Sequence, residues 1–279
     1  MLSSAVGVLF DGFAYGMLLF LLSVGLSVTL GMMNFVNLAH CTFAAVGGYC
    51  TVTFVNRLGW NFLLALPMAF LAGALIAVVL ERALFRRLYR ASDLDQCLVT
   101  IGIAFMSIAA FAWFYSTEPQ SARPPSYLIG SFELMGRNFG VYRLFLVLAG
   151  LLITGLLVYS LEYTRFGARV RAAVDNQRMA RGLGIDVDRA FLFTFALGGG
   201  LAGLGGALSI EVIGLESTLP LSVILVYVLI VVAVGGLGSI GGSFAAATVL
   251  GISDMAGKYY FPWLGAFLIY LVMVASQGK

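Results

Sequence analysis

The chain has 279 residues, of which 61% are hydrophobic and 10% charged, with a mean hydropathy of +1.01. Soluble domains carry about a quarter charged residues, so this composition excludes a soluble globular domain, a disordered chain and a nucleic-acid binder. A helix crosses a bilayer with about 20 mostly apolar residues, which leaves room for roughly eight spans joined by short loops. The long unbroken apolar runs, such as Leu144–Leu161 and Ile224–Val234, lack the alternation of a membrane β-barrel. The reading is an all-α polytopic membrane protein, a single transmembrane domain over 1–279.

In chain order, apolar segments fall at 5–30, 32–55, 60–82, 97–116, 141–161, 190–213, 220–256 and 260–276. The first is too long for a cleavable leader and has no basic residue before it, so it reads as a span. The last reads as an incomplete span. Within 220–256 the run Gly235-Gly236-Leu237-Gly238-Ser239-Ile240-Gly241-Gly242 breaks the pattern. It predicts either one long kinked helix or a pair of half-helices meeting in a glycine turn, an arrangement open to re-entrance from one side. Gly235, Gly236, Gly238, Gly241 and Gly242 are then hinge candidates. Gly12/Gly16, Gly199/Gly203 and Gly238/Gly242 have the small-xxx-small spacing that lets membrane helices approach closely. Cys41, Cys50 and Cys97 lie in or beside apolar segments, odd in number, and read as packing residues, with neither disulfide nor metal expected.

Few polar residues enter these segments. The most prominent are Asn34, Asn37 and His40, between Gly31 and Cys41. On a helix, Asn34, Asn37 and Cys41 share a face, with His40 on its flank. Amides in lipid need partners. The group is therefore either a helix break held by side-chain hydrogen bonds or a substrate pathway. Acids such as Asp11, Glu81, Glu211 and Asp254 sit at the ends of segments, against an ion-coupled mechanism.

Basic residues cluster. Ten of the fourteen Arg fall in 81–96 (Arg82, Arg86, Arg87, Arg90) and 162–190 (Arg165, Arg169, Arg171, Arg178, Arg181, Arg189). Two segments separate these loops, so both can be cytoplasmic. The N-terminus and the loops 116–140 and 211–219 then face outward. In 162–190 small apolar residues alternate with Arg, and Gly182 and Gly184 end the helical pattern. A short helix there with Ala172, Ala173 and Ala180 exposed would lodge in a partner's groove; the other reading is a basic loop on anionic lipid headgroups. Catalytic signatures are missing: there is no phosphate-binding G-x-x-x-x-G-K-[ST] loop, no G-x-S-x-G, and His40 is the single histidine. An enzyme is not expected, and no cofactor is expected on this chain.

Three blocks in order carry a resemblance: Asn37-Leu38-Ala39-His40 with Gly47-Gly48-Tyr49; Thr164-Arg165-Phe166-Gly167, Arg171-Ala172, Ala180 and Gly184-Ile185 running into Phe195-Ala196-Leu197 and Ala202–Gly206; and Val234–Gly242. Together they resemble the inner-membrane permease subunit of the branched-chain (hydrophobic) amino acid ABC importers, over about 30 to 275. The resemblance implies a multi-pass subunit of a bacterial inner membrane. Its partners would be two cytoplasmic ATPases holding ATP and Mg, a second permease subunit (a sister chain or a copy) and a periplasmic binding protein. It implies that Arg165, Gly167, Arg171, Ala172, Ala180 and Gly184 couple to the ATPase, and that access alternates around Asn34–His40 and the 235–242 turn. The family's substrates also include amides, urea and aromatic acids. Its members have Gly after the Ala-His pair where this chain has Cys41, whose sulfur narrows a close helix contact or pathway. The alternative is an ion-coupled secondary carrier or channel for a small solute.

Overall fold

A computed structural model describes residues 2–33, 35–89, 91–122, 124–134, 137–263, 271, 273 and 274. Ten helices are described: α1 (Leu2–Met33), α2 (His40–Val52), α3 (Phe62–Leu88), α4 (Asp93–Tyr115), α5 (Val141–Glu162), α6 (Arg165–Asp175), α7 (Gln177–Gly182), α8 (Val187–Ile213), α9 (Val223–Gly235) and α10 (Ile240–Tyr260). A hairpin of β1 (Ser131–Leu134) and β2 (Arg137–Gly140) precedes α5. Helix starts follow the chemistry of orphan N–H groups: Asn61, Ser92, Thr164, Asn176, Asp186, Ser222 and Ser239 each accept a backbone N–H of the helix they begin. Five helices are long and apolar enough to cross a membrane: α1, α3, α4, α5 and α8. The chain is a polytopic membrane protein.

Helix α1 is apolar on every side, as a fully enclosed helix should be, and α5, α8, α9 and α10 surround it. Helix α8 is the second pillar, packed on α1, α2 and α3. Lipid is as apolar as Leu, so close backbone contact and not water exclusion holds these helices together. A Cβ on Gly47 of α2 would collide with the carbonyl of Gly203 in α8, and one on Gly206 with Ala44. The expected pairs serve this end. Gly199 and Gly203 face Gly73 and Ala69 of α3, and Gly12 and Gly16 face α10, where a Cβ on Gly12 would lie 2.6 Å from Ile252 Cα. Gly238 and Gly242 are different, since Gly238 lies in a turn and forms no helix pair.

The two arginine-rich segments meet at one end of the bundle. Arg86 pairs with Asp188, and Arg181 reaches the same carboxylate at 3.1 Å. At the far end of α8, some 27 residues on, the loops around Gln120 and Leu215 join through a backbone bridge of 2.8 Å. Asp11 also pairs there with Arg143 at the start of α5.

Three expectations are corrected. The 32–55 segment is not one helix: α1 ends at Met33 and α2 begins at His40, with 35–37 outside any helix. The 220–256 segment is not one kinked helix: α9, of 13 residues, and α10, of 21, are separate helices of unequal length that meet in the glycine turn. Ala173 and Ala180 are buried and Ala172 half-buried, so the basic segment does not present its alanines outward. The 260–276 span lies mostly outside the described residues.

Candidate functional site

The break between α1 and α2 is the first element of the site. Asn34 lies outside the described residues. Asn37 is 1% exposed, and its Oδ1 accepts Ala39 N–H at 3.1 Å, an Asx turn just ahead of α2. Its Nδ2 is buried and has no hydrogen-bond partner among the described residues. His40 sits beside it but faces elsewhere. Its Nε2 donates to Leu22 O at 3.0 Å and its ring edge meets Phe43, so it braces α2 against α1. Cys41 is buried in the core and free.

Side chains of α4 hold the non-helical stretch in place, which the sequence reading missed. Gln96 Oε1 accepts Val36 N–H at 3.0 Å while its Nε2 donates to Leu88 O and Ala91 O, both at 3.3 Å. Thr100 Oγ1 accepts Leu38 N–H at 3.2 Å. Further along, Thr42 and Ser107 hydroxyls meet at 3.1 Å, and Thr53 bonds the Tyr115 hydroxyl at 2.7 Å. Tyr49 stacks between Phe111 and Tyr115, with centroids 4.7 and 4.4 Å away. Its hydroxyl is buried and unpartnered. Gln96, Thr100, Ala104, Ser107, Phe111 and Tyr115 recur every three or four residues, one face of a helix. That spacing was the available signal. We expect Gln96→Leu to cost about 1–2 kcal/mol, because the part-buried Val36 N–H would lose its partner; the melting temperature of the purified subunit in detergent measures it.

The glycine turn forms the second element. Gly236 and Gly238 have φ of +87° and +77°, a region open to glycine at little cost. Gly238 N–H donates to Ser27 O at 3.0 Å, and Ser243 bonds Ser27 through hydroxyls 2.9 Å apart, so α1 holds the turn on both sides. Gly235 and Gly242 differ in role: they allow α9 and α10 to touch at the base of the turn, where a Cβ on Gly235 would lie 2.6 Å from Ser243 N. Gly241 has open space around it.

The third element is the basic cap at the arginine-bearing end. Helices α6 and α7 enclose a small core of their own, Val170, Ala173, Ala180, Val187, Ala190 and Phe191, with Met33 and Tyr89 packed against it. Gly184, at φ +80°, closes α7: Ile185 N–H bonds Ala180 O at 2.9 Å and Gly184 N–H bonds Arg181 O at 3.0 Å. Gly167 is buried where α6 turns away from α5, and a Cβ there would strike Leu161 O. Arg171 caps the end of α5 by donating to the carbonyls of Leu161 and Glu162. Arg165 is exposed. Tyr89 donates to Glu81 Oε1 at 3.2 Å; burial first, then that carboxylate, hold its phenol above the usual tyrosine range. A groove of about 510 Å³ opens between Phe166, Arg169, Leu183, Ile185, Arg189 and Phe193. Leu183 on its rim is 78% exposed.

Of the residues singled out in the sequence, the structure brings Asn37 and His40 together at one break. Arg165, Gly167, Arg171, Ala172, Ala180 and Gly184 share one cap, and the glycines from 235 to 242 share one turn. An apolar bundle with an internal helix break and a basic cap at one end is a multi-pass membrane transport subunit. A sequence model of the family described as "Branched-chain amino acid transport system / permease component" matches residues 8–277, and the chain belongs to that family, as the permease subunit of an ABC importer. It is similar to the probable branched-chain amino acid transport permease protein LivH of Methanocaldococcus jannaschii, 29% identical over 94% of this chain and 86% of that one. It is also similar to the high-affinity branched-chain amino acid transport system permease protein LivH of Escherichia coli K12, 23% identical over 90% and 85%. The corresponding BraD protein of Pseudomonas aeruginosa is 22% identical over 91% and 86%. No solved structure matches.

Proposed function

We propose that this subunit carries branched-chain or other hydrophobic amino acids, or a related small carboxylate or amide, across a bacterial inner membrane. It does so with two cytoplasmic ATPases, which hold ATP and Mg, a second permease subunit and a periplasmic binding protein that delivers the solute. The relatives' names support the substrate class, and the family does not favour an ion-coupled carrier. The arginine-bearing end is then cytoplasmic by the charge rule. Helix α9, at 13 residues, reaches about 20 Å along its axis against a hydrocarbon core of about 30 Å. It is the shorter half of a glycine-interrupted, re-entrant segment, and about eight membrane segments, this one included, remain the expected count. The exposed apolar residues of α4, such as Trp113 and Met106, face lipid or the second permease subunit.

The observation that carries the coupling role is the groove on the cap, lined by apolar Phe166, Leu183, Ile185 and Phe193 together with Arg169 and Arg189, at the end where both arginine-rich segments meet. An ATPase helix laid there would sense α6 and α7 together, and through Tyr89, Met33 and Phe191 would act on the ends of α3, α1 and α8. The test is co-purification. Arg169→Glu with Leu183→Glu changes two exposed residues, so stability should stay within about 0.5 kcal/mol while the ATPase subunits are lost from a tagged preparation. Unchanged stoichiometry would show that the cap is not the docking surface.

A further inference from the structure

Helix α4 is attached to the bundle in an unusual way. Its buried residues are Gln96, Thr100 and Ala104, all on one face, while Leu94, Leu98, Phe105, Met106, Trp113 and Phe114 point away from the protein. It is tied to 35–39 and α2 by hydrogen bonds and by the stacking of Tyr49 on Phe111 and Tyr115, and its one glycine, Gly102, makes none of the close backbone contacts that fix α1, α2, α3 and α8. Water or a polar solute can take over a hydrogen-bonded contact one partner at a time. A glycine-to-carbonyl contact has no such substitute.

Two buried donors are left over along this seam. Asn37 is 1% exposed with Nδ2 unpartnered among the described residues, and Tyr49 is 2% exposed with its hydroxyl unpartnered. An unsatisfied polar group in a membrane interior costs free energy and calls for a reason. Asn37 Nδ2 belongs to the segment whose Val36 and Leu38 N–H groups point at Gln96 and Thr100, and this segment leads into the N-terminus of α2. Three N–H donors and the positive end of a helix dipole favour an anion.

We propose that the seam between α2 and α4 is the route by which a small solute bearing a carboxylate crosses this chain, and that Asn37 Nδ2 with the N–H groups of Val36 and Leu38 receives that carboxylate when α4 swings away from 35–39. Gln96 and Thr100 hold these N–H groups while the route is closed, so the closed state leaves neither one bare. Tyr49 marks a second station, with its ring stacked on Phe111 and Tyr115 and its buried hydroxyl unpartnered. This rests on the permease reading above and adds the solute's anchoring group and the wall that moves.

The test uses the complete importer in proteoliposomes, with radiolabelled leucine, its binding protein and internal ATP. Asn37→Ser and Asn37→Asp both keep an oxygen to cap Ala39 N–H, but only the second sets a like charge against the solute. Uptake per ATP hydrolysed should fall about tenfold or more in Asn37→Asp and stay within about threefold of wild type in Asn37→Ser, because like-charge contact is strongly unfavourable in a dry site. Equal uptake by both, or an equal loss in both, would overturn the proposal and leave Asn37 as a cap alone. Wild-type liposomes without ATP-driven uptake would instead overturn the permease reading itself. If Asn37→Asp fails to assemble, Thr42→Cys with Ser107→Cys in a background lacking the native cysteines decides the matter. Cross-linking should stop uptake and a reductant restore it, and unchanged uptake in the cross-linked importer would refute a moving α4.

Discussion

Gly47→Val should leave almost no folded subunit. Its Cβ would sit inside the carbonyl of Gly203, where α2 and α8 cross with backbones in contact, and neither helix can yield without disturbing others. Helix α8 is held on its other sides by α1 and α3, and α2 is tied to α1 through His40 and Leu22 O. Overpacking of this kind costs about 3 kcal/mol or more where nothing can relax. The expected result in detergent is an aggregated size-exclusion profile with a small or absent monodisperse peak. Gly102→Val on α4 is the matched control, since no atom lies within 4 Å of a Cβ there. It should purify like the wild type. A monodisperse Gly47→Val protein of wild-type melting temperature would contradict the proposed packing.

Gly238→Val should abolish uptake. At φ +77° a residue with a Cβ carries about 1–2 kcal/mol of backbone strain, more for a β-branched one. Relieving it would draw the turn off Ser27 O, to which Gly238 N–H now donates, at a further cost of about 1 kcal/mol. The added Cβ would lie 3.4 Å from Gly31 Cα, a normal contact, so the bundle itself can still assemble. If transport moves α9 and α10 about this turn, the loss should show there: uptake below about a tenth of wild type, equivalent to roughly 1.4 kcal/mol. Gly241→Ala, with open space around it and a helical setting, should transport normally. Equal loss in both variants would mean that the run acts as a whole. Equal retention would mean that the turn does not move.

The difference between these two glycines shows what a sequence can and cannot carry. Hydropathy located the helices because a bilayer imposes length and apolarity residue by residue, and α3, α4, α5 and α8 fall close to where it placed them. Clustered arginines likewise foretold that 81–96 and 162–190 share an end, now joined by Arg86 and Asp188. The run from Gly235 to Gly242 was visible as a break, yet its roles were not. Positive φ at Gly236 and Gly238, helix contact at Gly235 and Gly242, and none at Gly241 depend on where α1 lies.

Long-range pairing hid the rest. Asn37 and His40 were legible as polar intruders, but the carbonyl that engages His40 belongs to Leu22, eighteen residues earlier. Gln96 and Thr100 look like ordinary residues of a helix start until Val36 and Leu38 lie against them. Ala173 and Ala180 seemed outward-facing because their neighbours are arginines. The small core under α6 and α7 needs Val187 and Phe191 from the next helix, which no local periodicity reveals. Asp254 was placed at the end of a span, whereas it is fully buried within α10, with Lys258 at 2.6 Å.

The most direct measurement is uptake by proteoliposomes that hold this subunit with its ATPases, sister permease and binding protein, against liposomes holding this subunit alone. Uptake of leucine-like amino acids that needs both internal ATP and loaded binding protein, and is absent from the subunit alone, is the result expected of an ABC importer permease. Equal uptake by the subunit alone, driven by an ion gradient with ATP absent, would contradict it.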